Sequence, residues 1–143
     1  MSYLLDVNVL LALAWPNHVH HGAARTWFAE AHPAGWVTCG VTESGFIRVS
    51  SNVRVTPDAR TPAEAALLLH RLCSLAEHEF VADTVSLADS FELIGEMAHS
   101  SSAITDAHLI LLANAEGATF VTFDRQAAQM ATDCAVPNVL LRI

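Results

Sequence analysis

The sequence predicts an α/β domain: a central, mainly parallel sheet of four to five strands with helices on both faces. Three observations predict it. Short apolar runs alternate with longer helical patterns, cap and turn residues separate one run from the next, and no segment repeats another. The 143 residues suit a single domain, 1–143, with a substantial core. The polar, proline-containing stretch from Ser50 to Pro62 reads as a loop inside it.

In chain order, "SYLLD" is a short buried strand, and "VNVLLALAW" is a helix that Pro16 and Asn17 end. "HHGAARTWFAEAH" is a helix with Trp27 and Phe28 on its apolar side. "GWVTC" is a second strand, and "TESGFIRVS" a helix carrying Phe46, Ile47 and Val49. Thr61, Pro62 and Glu64 form an N-cap, a first-turn proline and a capping-box glutamate ahead of "AALLLHRLCSL". "HEFVA" is a third strand, and Ser86 with Asp89 is expected to cap "LADSFELIGEMAH". "DAHLILLANAEG" is an apolar helix closed by Gly117. "ATFVTF" is a fourth strand and "VLLRI" a fifth.

Composition narrows the chemistry. Apolar residues make up 52% of the chain against 15% charged, which calls for extensive burial or a covered interface. No apolar run reaches the ~18 residues of a membrane helix, and Asp6 interrupts an N-terminal run that has no basic lead, so neither a membrane span nor a cleaved signal is expected. Cys39, Cys73 and Cys134 are odd in number and far apart, and read as small buried thiols of a reducing, cytoplasmic compartment. The formal net charge is −8, and all seven bases are arginine. Without lysine, a Walker-A loop, a Schiff base and the phosphoacceptor site of receiver-type domains are excluded. An acidic chain is also a poor non-specific binder of nucleic acid, so a nucleic-acid substrate would require cations or a local arginine patch.

Four acids fall where ligands bind in such sheets, at the carboxyl ends of the strands. Asp6 ends the first strand, Glu43 starts the helix after the second, Asp106 opens the helix before the fourth, and Asp124 follows that strand. Singly, each has a bland reading: Glu43 and Asp106 favour a helix N-terminus, and Asp124 is a turn residue. Asp6 is harder to dismiss, because a carboxylate ending a central apolar strand loses hydration. Together they would repel one another unless a cation sat among them. Carboxylates without clustered His or Cys suit Mg²⁺ or Mn²⁺, which can clamp a phosphodiester and activate water. Asn8 and Thr105 lie beside these acids as candidate contacts to water or substrate oxygen.

These residues resemble a known family. "LLDVNVLLAL", Glu43 in "TESGFIRV", "ITDAHLILLA" and "FVTFDR" are similar to the ordered acidic motifs of PIN-domain ribonucleases, in particular the VapC toxins of bacterial toxin–antitoxin pairs. The likeness covers essentially the whole chain, and "HHGAARTWF" resembles the first helical hairpin of VapC chains. It implies a PIN-like three-layer α/β/α fold and Mg²⁺-dependent RNA cleavage, with Mn²⁺ as a substitute and tRNA or rRNA as candidate substrates. It also implies a homodimer and a VapB-type antitoxin. By the resemblance, Asp6, Glu43, Asp106 and Asp124 are the metal-binding catalytic acids. One departure bears on a second metal: Gln126 stands after Asp124 and Arg125, where some relatives carry a further acid.

Other residues weigh less. Arg25, Arg48, Arg54 and Arg125 can supply local positive charge, although Arg48 is also placed to pair with Glu43. His18, His20 and His21 invite a zinc reading but lack a fourth ligand at a recognisable spacing. His108 reads as a helix-flank residue, and Asp83 and Asp89 as strand-end and capping residues. A haloacid-dehalogenase-type phosphatase needs a second Asp where Asn8 stands, plus a lysine. A non-catalytic partner-binding module would be expected to have lost one of the four acids.

Overall fold

The structure is a computed structural model that describes residues 2–142, so Met1 and Ile143 at the ends of the expected domain and fifth strand lie outside it. Five strands form one sheet: β1 (Tyr3–Leu5), β2 (Trp36–Thr38), β3 (His78–Phe80), β4 (Thr119–Thr122) and β5 (Asn138–Leu140). Their order is β3-β2-β1-β4-β5, and every neighbouring pair is parallel. This is the α/β/α arrangement that the alternating pattern predicts.

Alternation along the strands divides the core into two layers. Leu4, Val37 and Phe120 face one side, where they pack with Leu109, Ile110 and Leu112 of α6 (Ile104–Glu116) and with Ala127 and Ala131 of α7 (Arg125–Asp133). Met97 of the short α5 (Phe91–Met97) joins this layer. Leu5, Trp36 and Val121 face the other side, against α1 (Val7–Ala14), α2 (His21–Ala31), α3 (Gly40–Ser50) and α4 (Pro62–Cys73). Full burial of a Leu or Phe contributes roughly 1.5–3 kcal/mol relative to exposure, so these two layers dominate the stabilisation.

Local signals hold in detail at several points. Thr61 Oγ1 accepts from the Glu64 amide, and Glu64 Oε1 accepts from the Thr61 amide, completing the capping box of α4. Gly117 closes α6 in the left-handed region at φ 65°. Other expectations need correction. Helix α3 begins two residues before Thr42, because Thr42 caps back onto the Cys39 amide. Ser86 Oγ accepts from Asp89 N, but it closes a turn, and α5 starts only at Phe91. Cys39 is buried, whereas Cys73 is half-buried and Cys134 exposed. Helix α7, which the sequence reading did not place, is amphipathic and buries a face of Ala127, Ala128 and Ala131.

The topology places the site. The chain runs outward from β1 through β2 to β3, then crosses back to enter β4 on the other side of β1. The reversal lies between β1 and β4, where open α/β sheets bind ligands beyond the carboxyl ends of their strands. Asp6 and Asp124 directly follow those two strands.

Candidate functional site

Each of the four predicted acids sits at a helix N-terminus, where unpaired amides and the helix dipole favour negative charge. Asp6 is the N-cap of α1: Oδ1 accepts from Val7 N at 2.7 Å, while its own amide donates to Val121 O across the β1–β4 ladder. Asp124 caps α7, with Oδ1 accepting from the amides of Gln126 and Ala127. Asp106 lies in the first turn of α6, and Glu43 in that of α3.

Thr122, the last residue of β4, ties the first group together. Its fully buried hydroxyl donates to Asp6 Oδ2 at 2.8 Å and accepts from Asn8 Nδ2 and from Asp124 N. Asn8 Oδ1 in turn accepts from Phe123 N, so both ends of this amide are engaged in bracing the β4–α7 turn. The sequence reading missed Thr122; the signal was a polar residue closing an otherwise apolar strand.

The electrostatics identify which acids share a field. Asp6 is only 7% exposed, and burial raises its carboxyl above the usual range despite the hydrogen bonds from Thr122 and Val7; the Asp124 charge adds to the rise. Asp106 is pushed up to about 6, by burial first and then by the charges of Asp6 and Asp124. Among the described residues, no arginine or histidine ion pair neutralises these three acids. An all-oxygen, desolvated and uncompensated donor set fits a hard divalent cation.

Glu43 is held differently. Its Oε2 accepts from the hydroxyl of Thr38, the last residue of β2, at 2.7 Å, and Thr38 Oγ1 itself lies 2.8 Å from His78 Nε2. A donor atom from each of Glu43, Cys73 and His78 lies within 4.8 Å of the others. The Glu43 charge acts on Cys73 and His78, whereas the acids acting on Asp106 are Asp6 and Asp124. Three of the four predicted acids therefore form one electrostatic cluster, and Glu43 bonds toward the β2–β3 side.

The remaining candidates separate readily. Arg125 opens α7 and, with Arg142, His20 and Phe123, lines a cavity of about 810 Å³ beside Asp124; the His20 and Phe123 rings stack at 4.9 Å. Arg25, Arg48 and Thr105 are exposed, and Arg48 forms no ion pair with Glu43. His108 Nε2 meets Asp83 Oδ2 at 2.6 Å, and Asp83 Oδ1 caps the Val85 amide. His18, His20 and His21 do not converge on one point: His18 Nδ1 accepts from the His20 amide, the His20 ring stacks on Phe123, and His21 Nδ1 meets Ala12 O.

Comparison with known proteins identifies the family. The model of the PIN domain family matches residues 3–133. The chain belongs to the PIN-domain family. Within it, the chain is 45% identical over 132 residues to Ribonuclease VapC39 of Mycobacterium tuberculosis, covering 92% of this chain and 95% of that one. Two solved PIN-type structures share the fold at low identity. The crystal structure of Mycobacterium tuberculosis VapC20, described as a Sarcin-Ricin loop cleaving toxin, superposes with a TM-score of 0.69 at 16% identity, over 89% of this chain and 93% of that one. VapBC-1 from nontypeable Haemophilus influenzae gives 0.68 at 12% identity, over 98% of each chain. This PIN domain is thus of the VapC type. Among its described residues, no helix is long and apolar enough to cross a membrane.

Proposed function

We propose that this PIN domain is a Mg²⁺-dependent endoribonuclease toxin of a toxin–antitoxin pair, hydrolysing RNA phosphodiester bonds and so restraining growth or translation. The observation that carries the reading is the uncompensated cluster of Asp6, Asp106 and Asp124 at the β1–β4 switch point. The 45% identity to a VapC ribonuclease supports it.

Asp6, Asp106 and Asp124 would hold the ion, with Glu43 as a fourth acid once its side chain leaves Thr38. Mg²⁺, or Mn²⁺ in its place, would offset the carboxylates, polarise the scissile phosphate and lower the pKa of an attacking water. The chain's own contribution is positional. Val7 N and the Thr122 hydroxyl fix both oxygens of Asp6, so the carboxylate is oriented before any ligand arrives. Asn8 acts through Thr122 and the Phe123 amide, holding the turn that carries Asp124. Before an ion binds, the Asp106 carboxyl keeps its proton up to about pH 6. The cavity beside Asp124 suits the RNA strand: Arg125 and Arg142 face its phosphates, and the Phe123–His20 stack offers a platform for a base. Arg25, Arg48 and Thr105 are outer contacts in this scheme, and tRNA or rRNA is the proposed substrate class.

Exposed apolar side chains on the flanks fit the partners of such a toxin. Leu67 on α4, Leu75 just beyond it, and Phe91 and Leu93 on α5 stand in solvent, available to a VapB-type antitoxin or to a second copy in a homodimer.

Incubating the purified protein with total RNA across a metal series tests the proposal. Cleavage should need Mg²⁺ or Mn²⁺ and vanish in Asp6→Asn while the circular dichroism spectrum is kept; full activity in that variant overturns the site. In cells, expression should arrest growth, and co-expression of the adjacent gene's product should relieve it.

A further inference from the structure

The β2–β3 side of the site carries a donor set unlike that of the acid cluster. Cys73 ends α4, His78 opens β3, and Glu43 lies in the first turn of α3. Three separate elements thus deliver a sulfur, an imidazole nitrogen and a carboxylate oxygen to within 4.8 Å of one another. All three residues are partly exposed, so an ion can reach them from solvent. We propose that Glu43, Cys73 and His78 form a second cation site, selective for Zn²⁺ or a similar borderline-soft ion and distinct from the Asp6–Asp106–Asp124 cluster.

Ligand chemistry sets the selectivity. Thiolate and imidazole favour Zn²⁺ and Co²⁺ over Mg²⁺, whereas three carboxylates favour the hard ion. Three protein ligands leave a fourth position for water or for a phosphate oxygen. The surroundings are also organised for binding. His78 packs its ring on the buried Trp36 at 4.6 Å, and Trp36 Nε1 is anchored to Ala76 O, which limits rotation of the imidazole. The Thr38 hydroxyl donates to Glu43 Oε2 and lies 2.8 Å from His78 Nε2, so it gathers the donor groups before an ion binds and must turn aside as one enters.

Protons compete with the ion. Burial, then the Glu43 charge, raises the Cys73 thiol above its usual value, while burial lowers the His78 imidazole. As an ion binds, the thiol must release a proton to the solvent, and an imidazole that ligates through Nε2 must give up its contact with the Thr38 hydroxyl. Affinity therefore rises with pH. Glu43 is turned toward Thr38, so an ion here finds its carboxylate already on the β2–β3 side. The site itself stands on its own geometry, and its test reads binding rather than cleavage.

Co²⁺ titration of the full-length, reduced protein in excess Mg²⁺ provides the test. A sulfur-to-cobalt charge-transfer band should appear, and Zn²⁺ should displace it. Cys73→Ser should abolish the band. His78→Gln should weaken Zn²⁺ binding, measured against a chelator, by more than the ~10–100-fold that loss of an outer-shell partner costs. Cys134→Ser and Asp6→Asn, which alter another thiol and the acid cluster, should keep the band. A band that survives Cys73→Ser, is lost in Asp6→Asn, or never forms overturns the proposal, whether or not the protein cleaves RNA.

Discussion

Thr38 and Thr122 end the two strands that flank β1, and each donates its hydroxyl to a carboxylate, yet the two sides of the sheet edge differ in chemistry. On the β4 side, Thr122 holds Asp6 in a field of other carboxylates, with Asp106 and Asp124 as neighbours. On the β2 side, Thr38 holds Glu43 among a thiol and an imidazole. The local device is the same; the neighbours supplied by α6 and α7 on one side, and by α4 and β3 on the other, make one side hard and anionic and the other mixed. A motif therefore specifies where a carboxylate starts, and its surroundings specify what it can bind.

The two threonines are expected to respond unequally. Thr122→Val leaves the buried Asp6 with a single hydrogen bond and strands Asn8, which should cost about 2–3 kcal/mol in a urea titration. RNA cleavage should fall by on the order of 10²-fold; wild-type stability in this variant would remove Thr122 from its central role. Gly45 joins the two sides, since it follows Glu43 by two residues and a Cβ there would lie 2.7 Å from Val7 Cγ2. Gly45→Ala should thus displace the residue whose amide holds Asp6, destabilising the chain by roughly 1–3 kcal/mol and lowering activity while Glu43 keeps its partners.

Asp106 gives the third response. Its carboxyl titrates near 6 in the fold against 3.8 as a free group. A raised acid binds its proton more tightly when folded, so metal-free stability is greatest below the lower value and declines as pH climbs through that window. Asp106→Asn should reduce this decline, leaving the share of the buried Asp6, and stabilise the metal-free chain at pH 7 by about 1 kcal/mol, the half-exposed group being screened by solvent. A melting temperature that is flat in wild type from pH 4 to about 7 would contradict the assignment. The smallest effect belongs to Thr38→Val: Glu43 can turn to solvent, so the loss should be about 0.5–1 kcal/mol, with cleavage retained.

Much of this was legible in residues read one after another. The parallel sheet followed from short apolar runs alternating with capped helices, and the central place of β1 from its apolar run. The acids at the strand–helix junctions were visible because hydrophobic runs stop at them. The threonines were not, since Thr at a strand end reads as an ordinary β-former. Helix α7 went unread although it is amphipathic: its buried stripe consists of alanines set among polar residues.

Order along the chain was sufficient to bring Asp6, Asp106 and Asp124 to one edge, because strand direction and helix polarity leave their positions little freedom. It could not decide the neighbours of Glu43. Those depend on the pairing of β3 with β2, which sets His78 beside Trp36, on the point where α4 ends, and on a side-chain rotamer held by one hydroxyl. Such contacts join residues 35 and 30 positions from Glu43, and only packing of the folded sheet determines them.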